Sequence, residues 1–193
     1  DPTSVSSLST VSVSSPGYGS EGSIVYDSGT YAWLLENSII RTLNVSNLNS
    51  ISSAATKLDT TNLQGDPQPR SPMFLDAANN ILLTMVYDPA GMSTWSISSP
   101  TSVSKIASSG IYYPRSFDFS LVDRTAVTVT DSEIGVFSIS TSGAITSLGT
   151  HSDSSRVDSN RGVIYNPNTE YVHVFKRVSV TESNIHTYDV SNP

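Results

Sequence analysis

Four stretches of the chain superimpose on one another: TLNVSNLNSIS from Thr42 to Ser52, TWSISSPTSVS from Thr94 to Ser104, VFSISTSGAIT from Val136 to Thr146, and TYDVSNP from Thr187 to Pro193. Each reads as a short strand running into a turn. Taking the last apolar residue of the strand as a marker gives Val45, Ile97, Ile139 and Val190, separated by 52, 42 and 51 residues. A period of this size belongs to a four-stranded propeller blade. A second marker six residues on falls at Ile51, Val103 and Ile145, and the fourth repeat has no counterpart after Pro193. The counterpart stands at the other end, where DPTSV (Asp1–Val5) matches SPTSV (Ser99–Val103).

Between the markers the chain alternates as half-buried sheets do. Ala32–Leu35, Ile81–Val86, Ala126–Thr130 and Tyr171–Phe175 are rich in β-branched and aromatic residues. Asp27-Ser28-Gly29, Ala78-Asn79-Asn80, Val122-Asp123-Arg124 and Asn166-Pro167-Asn168 precede them with hairpin-turn chemistry. The expected fold is therefore all-β. It is a β-propeller of four repeats of about 42–52 residues, with four antiparallel strands per blade and the outer strands carrying the serine. Residues 1–193 form one propeller domain, or a propeller segment of a longer chain. A β-sandwich of irregular hairpins permits the same alternation, but gives no reason for a repeated phase. Residues Thr3 to Ser15 are expected to supply the outer strand of the C-terminal blade. Closure within one chain then competes with a larger ring made from two chains or a longer polypeptide.

Composition agrees with this reading. Serine (38) and threonine (19) make up about 30% of the 193 residues and displace the Glu, Lys and Leu of helical proteins. Ten Lys+Arg against seventeen Asp+Glu give a net charge of -7, and no basic run could neutralise a track of phosphates, so nucleic acid is not expected as a partner. With no cysteine, disulfides and thiolate metal sites are excluded. No apolar run approaches the roughly 20 residues needed to span a bilayer.

The turns VSNL and ISSP, and above all DVSNP, resemble the LVIVD-type β-propeller repeat, in which such a turn is followed by an apolar strand, found mostly in secreted or surface proteins of microbes. Three of the four copies lack the aspartate that Asp189 supplies. The resemblance implies a propeller architecture and no single reaction.

Signals of chemistry are sparse. Gly17-Tyr18-Gly19-Ser20-Glu21-Gly22 matches GxGxxG, but a strand (Ser23–Tyr26) follows where a dinucleotide site needs a helix, so no cofactor is expected. Tyr26 to Trp33 resembles a structural Asp-box hairpin. No GxSxG elbow occurs, and His151, His173 and His186 lie in different parts of the repeats, so no catalytic residues are assigned. His173 reads as a structural strand residue and His186 as solvated. Asp153, Asp158 and Asn160 cluster without EF-hand spacing, and no metal is assigned. Glu21, Arg70, Arg115 and Arg161 stand 12 to 14 residues ahead of the second strand of their repeats, where loops converge on one mouth of the channel. Three guanidiniums there could grip an anion. Alternatively each arginine pairs with a nearby carboxylate, for which Asp66, Asp76, Asp118 and Asp158 are candidates, and ties blades together.

Two functional classes follow. The preferred one is a non-catalytic module at a cell or particle surface, or outside the cell, binding other proteins, glycans or copies of itself. The other is a propeller hydrolase of lactones or sugars with its site at the channel mouth. Asn44-Val45-Ser46 is a glycosylation sequon and Asn44 the candidate acceptor if the chain is exported by a eukaryote.

Overall fold

The computed structural model describes residues 23–27, 29–36, 39–47, 50–58, 73–86, 91–99, 102–111, 114–152, 160–177 and 181–192. They form four antiparallel sheets in chain order, with no helix among the described residues. Sheet 1 holds β1 (Ser23–Tyr26), β2 (Tyr31–Glu36), β3 (Ile39–Asn44) and β4 (Ser52–Leu58). Sheet 2 holds β5 (Phe74–Asp76), β6 (Ile81–Val86), β7 (Gly91–Ser96) and β8 (Ser104–Ser108). Sheet 3 holds β9 (Ser116–Phe119), β10 (Thr125–Val129), β11 (Glu133–Ile139) and β12 (Ile145–Ser152). Sheet 4 holds β13 (Asn160–Asn166), β14 (Tyr171–Arg177) and β15 (Ser183–Asp189). In each, successive strands are neighbours. Among the described residues no strand pairs with the outer edge of β15, and the segment 3–15 expected there lies outside them.

The markers that revealed the repeat share one backbone bond. The N–H groups of Val45, Ile97, Ile139 and Val190 donate to the carbonyls of Thr30, Asn80, Arg124 and Glu170 at 2.8 to 2.9 Å. Each bond closes the end of the second-to-third strand hairpin, so the same local geometry recurs in all four sheets. Asn80, Arg124 and Glu170 also share a positive φ of 55° to 59°. Asparagine tolerates this region, whereas arginine and glutamate do not favour it. A register shift recurs as well, between Thr42 and Leu43, Thr94 and Trp95, and Val136 and Phe137, where the third strand pairs with the fourth.

Strand alternation gives every sheet a front face towards the next sheet and a back face towards the preceding one. In sheet 2, Phe74, Ile81, Leu83, Met85 and Met92 face forward and meet Phe117, Phe119, Ala126, Phe137 and Ile139 on the back of sheet 3. Trp33, Leu35 and Ile40 of sheet 1 meet Leu82, Trp95 and Ile97 on the back of sheet 2. Val127, Val129, Ile134 and Val136 of sheet 3 meet Val163, Tyr165, Val172 and Val174 of sheet 4. Three cores thus lie between sheets, and each buried aliphatic or aromatic side chain in them contributes about 1.5–3 kcal/mol. The outer strands are far wetter: most of β12 is exposed and β8 alternates between exposed and half-buried.

Gly91 opens β7 at a φ of +62°, and a Cβ there would sit 2.5 Å from the Ile111 carbonyl oxygen. Gly91→Ala is expected to lower stability by about 2 kcal/mol, since strained backbone and a contact with main chain combine. Urea denaturation checks this, and an unchanged midpoint would show that the loop before Ile111 yields freely.

Candidate functional site

The four channel-mouth residues fare differently. Glu21 and Arg70 lie outside the described residues, and of Arg161 only the backbone, in β13, is described. Arg115 precedes β9, and its backbone N–H donates to the Val129 carbonyl at 2.7 Å. Its guanidinium makes a two-point bond to Asp131, Nε to Oδ1 at 2.8 Å and Nη2 to Oδ2 at 2.7 Å. This pairs two residues of sheet 3, and the side chains are 31% and 52% exposed. Arg115→Ala is expected to cost no more than about 1 kcal/mol, because exposed ion pairs are weak. Thermal unfolding with and without added sulfate also tests the anion reading. The anion reading requires sulfate to raise the midpoint of the unaltered chain and not of the variant, and an unchanged midpoint in both rejects it.

Of the carboxylates considered as arginine partners, Asp66 and Asp158 lie outside the described residues, and neither Asp76 nor Asp118 takes Arg70 or Arg115 among the described contacts. Asp76, at the end of β5, is buried and accepts from Arg124 Nη1 at 2.6 Å. The same guanidinium donates to the carbonyls of Ile139 (2.7 Å) and Ser140 (2.9 Å), and Asn79 Nδ2 reaches both Asp76 oxygens. Burial works to raise the Asp76 pKa, but the bonds from Arg124 and Asn79 outweigh it and hold the carboxyl below its ordinary value. The turn before β10 is thereby fastened to sheet 2. Asp118 accepts the Tyr165 N–H at 2.8 Å, and Asp123 accepts the Tyr165 hydroxyl at 2.6 Å, which joins sheet 3 to sheet 4. Burial first, and then the Asp123 carboxylate, push the Tyr165 hydroxyl up to about 12.

The Asp-box-like hairpin is a structural turn: Asp27 Oδ1 accepts from the N–H groups of Gly29 (2.8 Å) and Tyr31 (3.2 Å). His173, half-buried on β14, bonds Thr187 through Nδ1 at 2.9 Å. His186 lies in β15, the edge strand of sheet 4 among the described residues, and it is half-buried rather than fully solvated, with its ring stacked 6.4 Å from that of Tyr188. Asp153 and Asp158 lie outside the described residues. The Asn44 side chain turns back on its own sequon, its Oδ1 accepting from the Ser46 N–H (3.0 Å) and hydroxyl (2.7 Å).

Two features not foreseen from the sequence remain. A groove of about 360 Å³ runs between the outer parts of sheets 3 and 4, lined by Ile134, Val136, His151, Tyr188, Asp189 and Asn192 among others. Its aromatic wall is Tyr188, with the His151 ring at 5.4 Å and Lys176 Nζ at 5.6 Å. Burial lowers the Lys176 pKa and raises that of Tyr188. The second feature is a pair of uncovered sheet faces. The front of sheet 4 presents Ile164 (65% exposed), Ile185 (71%), Tyr171 and Phe175, and the back of sheet 1 presents Ile24 (61%) and Tyr26.

The geometry has counterparts among solved structures. A functionally unknown protein from Desulfotomaculum acetoxidans DSM 771 superimposes with a TM-score of 0.63 at 12% identity, over 92% of this chain and 56% of that one. A protein from Lactobacillus plantarum gives 0.63 at 10%, over 89% and 52%. A chain of a nidogen/laminin complex gives 0.57 at 9%, over 89% and 61%. These neighbours are propeller-like. The fold is that of a β-propeller. The chain spans a little over half the length of these structures. No family model matches the sequence, and no curated protein does. No helix among the described residues is long and apolar enough to cross a membrane.

Proposed function

We propose that this propeller chain is a non-catalytic module that binds protein through the front face of sheet 4. The observation that supports the reading is the exposure of Ile164, Tyr171, Phe175 and Ile185 on one face of sheet 4, around the bonded His173–Thr187 pair. In sheets 1 to 3 the same positions of the strands are buried against a following sheet. Exposed patches of this kind mark contact surfaces. The low charge, the Ser/Thr-rich outer strands and the likeness of DVSNP to LVIVD-type repeats support a place at a cell or particle surface or outside the cell.

The reading predicts a defined neighbour at Ile185. A photo-crosslinking phenylalanine analogue installed there should give a covalent adduct to one protein identifiable by mass spectrometry, which includes another copy of this chain. The same analogue at Leu148, on the outer strand of sheet 3, serves as the control. Adducts indistinguishable from those at Leu148 would overturn the reading.

A further inference from the structure

We infer that the turn between β9 and β10 is a separate contact surface, a rigid apolar knob of Leu121 and Val122 that enters an apolar pocket rimmed by basic residues on a different protein. The knob belongs to sheet 3, which has a described sheet on either side, and it does not rest on the front face of sheet 4.

The turn itself does not call for these two residues. Asn80, Arg124 and Glu170 hold the same positive φ at the ends of three equivalent turns, so Leu121-Val122 stands where sheets 2 and 4 have Ala77-Ala78 and Pro167-Asn168. The residue that opens each turn caps it: Asp76, Ser120 and Asn166 accept the N–H of Asn79 (3.2 Å), Val122 (3.2 Å) and Asn168 (3.0 Å). Alanine, proline and asparagine therefore build this turn without leucine or valine, and turn tips ordinarily carry Gly, Pro, Asn, Asp or Ser. The cores do not call for them either. Val122 is 82% exposed and Leu121 55%, and among the described residues no large apolar side chain is more exposed than Val122. Two adjacent branched side chains held in water, required by neither turn nor core, are what a contact surface needs.

The turn is also fastened from both sides. Arg124 joins it to Asp76 of sheet 2 and to the carbonyls of Ile139 and Ser140, while Asp123 Oδ2 accepts the Tyr165 hydroxyl from sheet 4. Below the tip, Asp123 Oδ1 accepts the Thr125 N–H at 3.2 Å, and the Ser120 N–H donates to the Thr125 carbonyl at 2.9 Å. A tip held in this way loses little freedom on burial, so binding through it costs less. A few well-presented anchors carry most of the energy of an interface.

Charge selects the partner. The Arg124 guanidinium is matched by Asp76, but the Asp123 carboxylate is matched only by the neutral Tyr165 hydroxyl and by amides. Glu170 is exposed in the neighbouring turn, and its charge reaches the same hydroxyl, adding to burial and to Asp123 in pushing it up. Among the described residues neither carboxylate is in an ion pair. Two negative charges beside an apolar tip fit a pocket with Lys or Arg at its rim. A second copy of this chain, at a net charge of -7, and an anionic lipid surface both carry the wrong sign.

A photo-crosslinking phenylalanine analogue at Val122 of the full chain, in extract from the organism that makes it, identifies the partner by mass spectrometry. The analogue at Asn168, the equivalent tip in sheet 4, is the control. The identified protein, once purified, is titrated against the chain. Leu121→Ala/Val122→Ala copies the turn of sheet 2, so its thermal midpoint should stay unchanged while affinity falls by roughly tenfold or more. Glu170→Gln should weaken binding about threefold and flatten its decline with added salt. Adducts at Val122 that match those at Asn168, no adduct at all, or an affinity unmoved by the double alanine variant overturn the knob. An affinity indifferent to salt and to Glu170→Gln overturns the basic rim, and an adduct to another copy of this chain overturns the different protein. Binding to phosphatidylcholine vesicles that the double variant abolishes assigns the knob to lipid and overturns the protein pocket. Adducts at Ile185 bear only on the front of sheet 4, so the two surfaces stand or fall apart.

Discussion

Arg124→Ala is expected to cost about 3–5 kcal/mol, because removing one member of a buried pair leaves an uncompensated charge. Asp76 is only 2% exposed and would keep just its bonds to Asn79. The carbonyls of Ile139 and Ser140 would each lose a donor as well, Ser140 keeping the Gly143 N–H. For a domain of this size the loss corresponds to a fall of about 10 °C in Tm. The pH dependence has a definite sign. The folded Asp76 pKa is depressed, so its contribution is present above the ordinary carboxylate value near 3.8 and is lost as pH falls through the folded value. In Arg124→Ala the guanidinium is gone and burial remains, so the folded pKa rises and acid unfolding begins at higher pH. Calorimetry of both proteins between pH 3 and 7 checks the two statements. Parallel acid transitions would show that the guanidinium is not what holds the carboxyl ionised.

Trp95→Ala should cost a similar amount, about 3–5 kcal/mol. The indole is 2% exposed in the core between sheets 1 and 2, and its Nε1–H donates to Thr84 Oγ1 at 2.9 Å. Truncation opens a cavity and leaves the buried Thr84 hydroxyl without that donor. Trp95→Phe separates the two contributions. It keeps most of the packing and loses the bond, so a loss of about 1–2 kcal/mol is expected. Urea denaturation measures both, and equal midpoints for the two variants would show that the indole nitrogen, not ring volume, dominates.

The architecture was legible because one local bond recurs. Val45, Ile97, Ile139 and Val190 stand out as markers since each must place its N–H on the residue that opens the second strand. Turn residues before those strands were legible for the same local reason. The ties between sheets were not. Asp76 invites pairing with Arg70, six residues away, whereas its partner Arg124 is 48 residues distant and is brought near by the stacking of two sheets. Nothing in the composition around Arg124 signals a left-handed backbone either. The turn imposes that conformation, and the side chain then points to Asp76 and the Ile139 carbonyl. The Arg115 pairing was half legible: a carboxylate partner was expected, but Asp118 was nearer in sequence than Asp131. Asp118 sits in a strand facing sheet 4 and is taken by the Tyr165 amide.

The absence of a private core in any sheet governs how the molecule comes apart. Each sheet owes its cohesion to its neighbours, so stability behaves as a chain of nearest-neighbour couplings rather than a single block. Among the described residues sheets 2 and 3 each share cores with two neighbours. Amide protons in β6 and β10, held between two such cores, are therefore expected to exchange only through the largest openings.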